Sequence, residues 1–178
     1  MSIFAALKGA ALLKLVRDPR LRDLLTKREF RFSQEVLHRE FVSQAGDEEE
    51  LQDLVLIVGE GYLELSGKLK KRPLPFAIPF SARFSLHSLE FSPRSKAVHL
   101  RLEELKPFSL DSLTKKLVEK VPFLSFDDGL VTVHLVKVPR LARFLDSQVK
   151  GFRPFDHIVL KELHFHEGEV VGRVGMLL

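Results

Sequence analysis

The chain has 178 residues, a formal net charge of +4, 45% hydrophobic and 29% charged residues, no Cys, no Trp and 15 Phe. A chain of this length and composition folds as one domain with a full apolar core. The absence of Cys excludes a disulfide framework and a thiol nucleophile, and the hydrophobic content excludes disorder over the whole chain. Because Phe has no hydrogen-bonding group, its surface favours a dry setting, which is either a packed core or a cavity for an apolar molecule.

The positive charge is concentrated at the N-terminus. Residues 1–31 carry eight basic side chains against three acidic ones, a net charge of +5, so the remaining 147 residues sum to −1. Apolar spacing predicts helices over 3–17 and 20–27, separated at Asp18-Pro19. Lysines interrupt the first of these helices, which is therefore neither a signal peptide nor a membrane-spanning segment. A basic amphipathic helix of this kind lies on an anionic membrane or docks on a partner protein.

The rest of the chain, residues 32–178, is predicted to be a single domain that begins with a helix and continues as hairpins. Ser33 predicts the N-cap of a helix of about ten residues that ends before Gly46. Period-two alternation then predicts paired strands over 54–58 and 63–69. Further hairpins are predicted over 80–105, 123–138 and 158–177, and further helices over 109–121 and 139–151.

Two irregularities fall within the predicted strands. Pro73, Pro75 and Pro79 predict an edge strand or an extended connector, because none of them can donate to a strand ladder. A change of apolar parity predicts a β-bulge near His87-Ser88. Together the elements predict an α+β fold in which a strongly curved antiparallel hairpin meander wraps around amphipathic helices, with the basic helix at the N-terminus.

Chemical motifs are few. His164 and His166 lie two residues apart on a predicted strand, so both imidazoles and Glu162 share one face, and His157 or His134 would have to complete a metal site. The simpler interpretation is that these histidines face solvent. No enzymatic activity and no cofactor are expected, with a metal-dependent enzyme at His164 and His166 as a minor alternative. The N-terminal arginines alternate with leucines rather than aromatic residues, so nucleic acid is not an expected partner.

Apolar and polar residues alternate in strand fashion over 62–69, over 80–91 with 98–105, and over 167–174. This alternation, together with the order of the predicted helices and hairpins, resembles the TULIP-like (tubular lipid-binding) superfamily, in particular its small bacterial members. In that family a strongly bent sheet wraps a helix and leaves an apolar tunnel for acyl chains. The resemblance implies a tunnel lined by Leu63, Leu65, Phe80, Phe84, Leu86, Val98, Leu100, Leu102, Leu113 and Leu117.

The expected function is therefore non-enzymatic binding of a lipid or another hydrophobic small molecule, with peripheral membrane contact through the basic N-terminal helix. The expected contacts with an anionic membrane or a partner protein are Lys8, Lys14, Arg17, Arg20 and Arg22. The alternative is a protein–protein interaction module with a fully packed core, which docks on its partner through residues 1–28. The small bacterial relatives are usually exported or lipid-anchored, whereas this chain shows neither signal nor lipobox Cys. It is expected to be cytoplasmic and peripheral at the inner face of the membrane.

Overall fold

The computed structural model describes residues 27–45, 50–70, 72–107, 115, 118–119, 121–138, 142, 145 and 153–176. Strands account for most of these residues, and the helix α1 spans Gln34–Ala45. The strands are β1 Glu29–Ser33, β2 Leu51–Gly59, β3 Tyr62–Lys70, β4 Ala77–Phe91, β5 Lys96–Lys106, β6 Leu124–Asp127, β7 Leu130–His134, β8 Ile158–His166 and β9 Glu169–Met176. Short 3-10 helices span Leu135–Lys137 and Pro154–His157.

The strands form two antiparallel sheets. One has six strands in the order β2-β3-β4-β5-β7-β6, and the other has three in the order β1-β9-β8. The predicted hairpins β2–β3, β6–β7 and β8–β9 are confirmed. In the β2–β3 turn, Gly61 has φ of 79°, a left-handed conformation that costs glycine nothing.

Several local predictions are also confirmed. The Val36 N–H donates to the Ser33 hydroxyl oxygen over 3.4 Å, so Ser33 is the N-cap of α1. The register of β4 against β5 shifts between Leu86 and Ser88, where the parity change predicts a bulge. The proline-rich segment before β4 is a connector between β3 and β4. Pro79 lies inside β4, ahead of the first residue that pairs with β5, so among the described strands β4 pairs only with β3 there.

Helix α1 covers the free edge of β2 through its side chains. The Val58 N–H donates to Gln34 Oε1 over 2.8 Å, and the Leu56 N–H donates to His38 Nδ1 over 3.2 Å. One helical turn advances about 5.4 Å and two strand residues advance about 6.7 Å, so alternate backbone donors of the strand match successive turns of the helix. This contact satisfies edge donors that could otherwise pair with another strand.

The predicted α+β class, with a sheet wrapped around amphipathic helices, is wrong. The described residues are mostly strand in two antiparallel sheets, and α1 is the only helix of seven or more residues among them. Part of the inner face that the prediction gave to helices packs against the second sheet instead: Phe165 and Val170 of the three-stranded sheet cluster with Val58, Val98 and Val131 of the six-stranded one. A strand hairpin can bury the same apolar face that a helix would.

The second sheet also includes a strand that the sequence analysis missed. In β1, Phe30 and Phe32 alternate with charged or polar residues, and β1 pairs with β9 from Glu29 to Ser33. Strand β1 therefore spans residues on both sides of the predicted boundary between 31 and 32. The predicted helix over 3–17 lies outside the described residues, as do residues 20–26 of the helix predicted over 20–27. Of those over 109–121 and 139–151, the structure describes 115, 118–119, 121, 142 and 145.

The buried apolar residues form one cluster beside α1 and two between the sheets. Beside α1, the cluster contains Leu51, Leu54, Leu65, Leu69, Phe80, Ala82, Leu102, Leu105, Val121 and Phe123, with Phe41 and Val42 of α1 packed against it. The first cluster between the sheets contains Val58, Val98, Leu100, Val118, Val131, Phe165 and Val170. The other contains Leu145, Phe155, Ile158, Leu160 and Val174. Phe84 packs against both of the larger clusters, so the inner face of the six-stranded sheet is one continuous apolar surface.

Candidate functional site

The strand register brings the predicted tunnel residues of the described chain onto one face. Leu63 pairs with Phe84, Phe84 pairs with Leu102, and Leu86 pairs with Leu100, and directly paired residues project from the same side of a sheet. The predicted positions placed on this inner face are Leu63, Leu65, Phe80, Phe84, Leu86, Val98, Leu100 and Leu102. Leu113 and Leu117 lie outside the described residues.

These positions differ in how well they are covered. Leu65, Phe80, Val98, Leu100 and Leu102 are buried. The remaining positions, Leu63, Phe84 and Leu86, are only half-buried. Among the predicted lining positions, accessible apolar surface therefore remains at Leu63, Phe84 and Leu86, while the others are packed.

The half-buried region continues along β4 towards the second sheet. It comprises Leu63, Phe84, Leu86, Leu89 and Phe91 of the six-stranded sheet and Leu163 of β8, all half-buried, and we call it the β4–β8 seam. Leu63, Phe84, Leu86, Leu89 and Leu163 pack against the first inter-sheet cluster, and Leu89 and Phe91 pack against the other. Because sites for hydrophobic ligands are lined mainly by apolar side chains, we take the seam as the candidate site.

Hydrogen bonds between turns fix the sheets at one end of the seam. The Gly61 N–H donates to the Phe165 carbonyl and the Gly168 N–H donates to the Val58 carbonyl, each over 2.9 Å. In addition, Glu60 Oε1 lies 3.1 Å from Nδ1 of His166. The β2–β3 and β8–β9 turns thereby hold the sheets in register at this end.

A buried lysine lies at the other end of the seam. Lys96 is 4% exposed and is the only buried charged residue of the described chain. Its Nζ donates to the Ser92 carbonyl over 2.9 Å and lies 5.2 Å from the centre of the Phe91 ring. Burial lowers the pKa of Lys96; Asp156 opposes this effect and Arg153 adds to it. Lys96 was not among the residues predicted from the sequence, although Lys96 lies two residues from the inward residue Val98 and so faces the same side of β5.

The outer face of the six-stranded sheet is polar. Ser125 Oγ lies 2.9 Å from His134 Nε2, and Thr132 Oγ1 lies 2.9 Å from His99 Nδ1. Burial lowers the pKa of His134, and Lys137 and His99 lower it further, against the effect of Glu90. These pairs lie on the opposite face from the seam and supply cross-strand hydrogen bonds.

The histidines considered as metal ligands lie on the outer face of the second sheet. His164 and His166 are stacked with ring centroids 6.1 Å apart, and His164 Nε2 is 3.6 Å from Glu162 Oε2. The Nδ1 atom of His166 lies within hydrogen-bonding distance of the Glu60 carboxylate. Within the described ranges, no group of three or more His, Asp or Glu side chains is arranged to hold a metal ion. Among the described residues, the structure therefore does not bring a set of metal ligands together around His164 and His166.

The expected membrane contacts Lys8, Lys14, Arg17, Arg20 and Arg22 all lie outside the described residues. The described chain offers another basic and apolar surface, in the β3–β4 connector. Phe76 is 61% exposed, and Lys70 and Arg72 are exposed beside it, since Lys70 pairs with Ala77 across the base of the connector. The sequence signal for it was a Phe beside a run of basic residues in a proline-rich segment.

Among the described residues, no helix combines the length and apolar character needed to cross a bilayer. Comparisons of the chain with protein-family models, with curated proteins and with solved structures found no match.

Proposed function

We propose that the protein binds a lipid or another hydrophobic small molecule without catalysing a reaction, and that the β4–β8 seam holds the apolar part of this ligand. The observation that carries the proposal is the half-burial of inward-facing Leu and Phe side chains along the seam, beside fully buried neighbours on the same face. Large apolar side chains that face inward and stay accessible gain from a further apolar contact.

The dimensions of the seam support an acyl chain as the ligand. At about 3.3 Å per residue, β4 from Phe84 to Phe91 extends for about 23 Å. One leaflet of a bilayer is about 15 Å of hydrocarbon, which is the reach of a single acyl chain. Each CH₂ group removed from water contributes about 0.8 kcal/mol, so a chain buried along part of the seam reaches micromolar affinity after the costs of association.

The proposal includes peripheral contact with the anionic inner face of the membrane, from the cytoplasmic side. The basic N-terminal segment supplies the main attraction through Lys8, Lys14, Arg17, Arg20 and Arg22. The exposed Phe76, with Lys70 and Arg72, supports the proposal from the described residues. An aromatic ring that inserts between headgroups and cations that pair with anionic lipids are the components of interfacial binding.

The test of ligand binding is denaturing extraction of the purified full chain, followed by mass spectrometry of the lipids released. We expect a stoichiometric lipid in the parent and much less in the Leu86→Gln variant, which puts an amide into the seam. Val55→Gln is the matched control, because Val55 is 43% exposed on the outer face of β2. An empty extract, together with failure of the delipidated protein to take up fatty acids, contradicts the proposal.

The alternative function is a protein–protein interaction module. The observation that favours it is that Leu65, Phe80 and Leu102 are buried in the packed cluster beside α1. In this case, reversing the charges of Lys8, Lys14 and Arg17 to Glu in the full chain abolishes co-purification of a partner and leaves vesicle flotation unchanged. If ligand binding at the membrane is correct, the same variant loses flotation.

A further inference from the structure

Lys96 is placed unusually for a lysine. It is the first residue of β5, faces inward with Val98 and Leu100, and pairs directly with Phe91 at the end of the seam. Lysine is almost never fully buried unless it is paired. Here the ammonium group lies where the apolar surface of the seam ends.

The hydrogen-bonding capacity of Lys96 is only partly used. An ammonium group has three donors, and the described residues offer this one a single acceptor, the Ser92 carbonyl at 2.9 Å. Asp156 is the carboxylate whose charge raises the pKa of Lys96, and its Oδ2 lies 3.6 Å from Arg153 Nε. Among the described residues, no ion pair joins Asp156 to Lys96. A buried cation with unused donors is costly unless an anion completes its shell.

We propose that the seam takes a single-chain fatty acid and that Lys96 receives its carboxylate while the chain lies along β4 towards Phe84. The inference rests on the proposed function and names the ligand class within it. A carboxylate is the smallest anionic headgroup, and it suits a site in which Lys96 is only 4% exposed.

The charges around Lys96 fit this orientation. Arg153 lies close enough to lower the pKa of Lys96, so Arg153 adds positive potential at this end of the seam. The negative charge of Asp156 acts in the opposite direction. A charge-assisted hydrogen bond is strongest in a dry site such as the one around Lys96.

The experiment compares palmitate with hexadecanol, which has the same chain length and no charge. Both ligands displace a fluorescent acyl probe from the delipidated full chain at about pH 7, where a carboxylate of ordinary pKa is ionised. We expect the parent to prefer palmitate by about tenfold, the factor that corresponds to one charge-assisted hydrogen bond. The Lys96→Met variant should bind both ligands equally, and Lys96→Arg should keep part of the preference.

The matched control is Lys137→Met, which removes an exposed lysine near the same end of the sheet and should leave the preference unchanged. Equal binding of palmitate and hexadecanol by the parent overturns the role of Lys96 and leaves hydrophobic binding in place. A preference for palmitate that persists in Lys96→Met also overturns that role. Failure of the parent to bind either ligand overturns the proposed function itself. If Lys96→Met does not fold, the parent preference and the Lys96→Arg variant decide the question.

Discussion

The first and second halves of β4 both alternate between inward and outward side chains, but their surroundings differ. In the first half, Phe80 and Ala82 are buried beside α1 and beside Val121 and Phe123. In the second half, from Phe84 onward, the inward residues are half-buried along the seam with the second sheet. The comparison shows that strand alternation determines which way a side chain faces, whereas the neighbouring elements determine how much of it stays accessible.

The largest expected effect tests the buried half of β4. Phe80→Ala should lower the free energy of unfolding by about 3–5 kcal/mol, because it leaves a cavity in a packed cluster. Leu89→Ala, in the seam, should cost roughly 1–2 kcal/mol, since a half-buried side chain loses less buried surface. Urea denaturation of delipidated protein measures both. Ser81→Ala is the control and should stay within about 0.5 kcal/mol. Equal losses for Phe80 and Leu89 would remove the distinction between the halves.

The next effect tests the connector that precedes the buried half. Phe76→Ser should weaken binding of the full chain to anionic vesicles by about tenfold, because a buried Phe contributes at least about 1.5 kcal/mol. Co-sedimentation with vesicles measures the partition. Val136→Ser is the matched control: Val136 is 45% exposed, follows β7 and lies at the opposite end of the six-stranded sheet. An equal loss in both variants would contradict a specific role for the connector.

A smaller effect tests the charged end of the seam. Burial lowers the pKa of Lys96, so the unfolded chain binds more protons than the folded one below the ordinary lysine value of about 10.4. Stability should therefore rise with pH towards that value in the parent and not in Lys96→Met. At neutral pH we expect Lys96→Met to be more stable by about 1 kcal/mol, because an under-paired buried charge is removed. Urea titrations across this pH range check both, and a destabilised variant would show that Lys96 is fully satisfied without ligand.

The smallest expected effect on stability concerns His134, on the polar outer face of the six-stranded sheet. Burial lowers the pKa of His134, so the parent should lose stability as the pH falls through about 6.5, when the unfolded chain takes up the proton first. His134→Gln keeps a partner for Ser125 and should remove this slope, at a change of about 0.5 kcal/mol or less. Thermal melts between about pH 7 and about pH 5 measure it. An unchanged slope would assign the acid sensitivity to other groups.

Much of the strand organisation could be predicted from the sequence, because the signals are local. Period-two alternation marks the hairpins, Ser33 marks the start of α1, and the parity change marks the bulge after Leu86. Strand β1 was missed because Arg31 was counted with the basic N-terminal segment 1–31 and Phe32 with the following domain, although Phe30 and Phe32 alternate as in a strand.

The remaining features depend on contacts between distant residues. No local pattern distinguishes an inner face covered by helices from one covered by β8 and β9, and this led to the wrong fold class. For the same reason, the sequence could place Phe84 and Phe80 on one face but could not show that one is half-buried and the other buried. The surroundings of Lys96 likewise include Arg153 and Asp156, which lie far away in the chain.

Fluorescence from a single tryptophan in the seam tests ligand binding most directly. Because the chain has no Trp, the Leu86→Trp variant reports on the seam alone, and Ile57→Trp reports on the outer face of β2, where Ile57 is 38% exposed. With brominated fatty acids, we expect saturable quenching of the Leu86→Trp variant and none of the Ile57→Trp variant. Equal quenching of both variants, or none in a folded Leu86→Trp protein, would contradict binding in the seam.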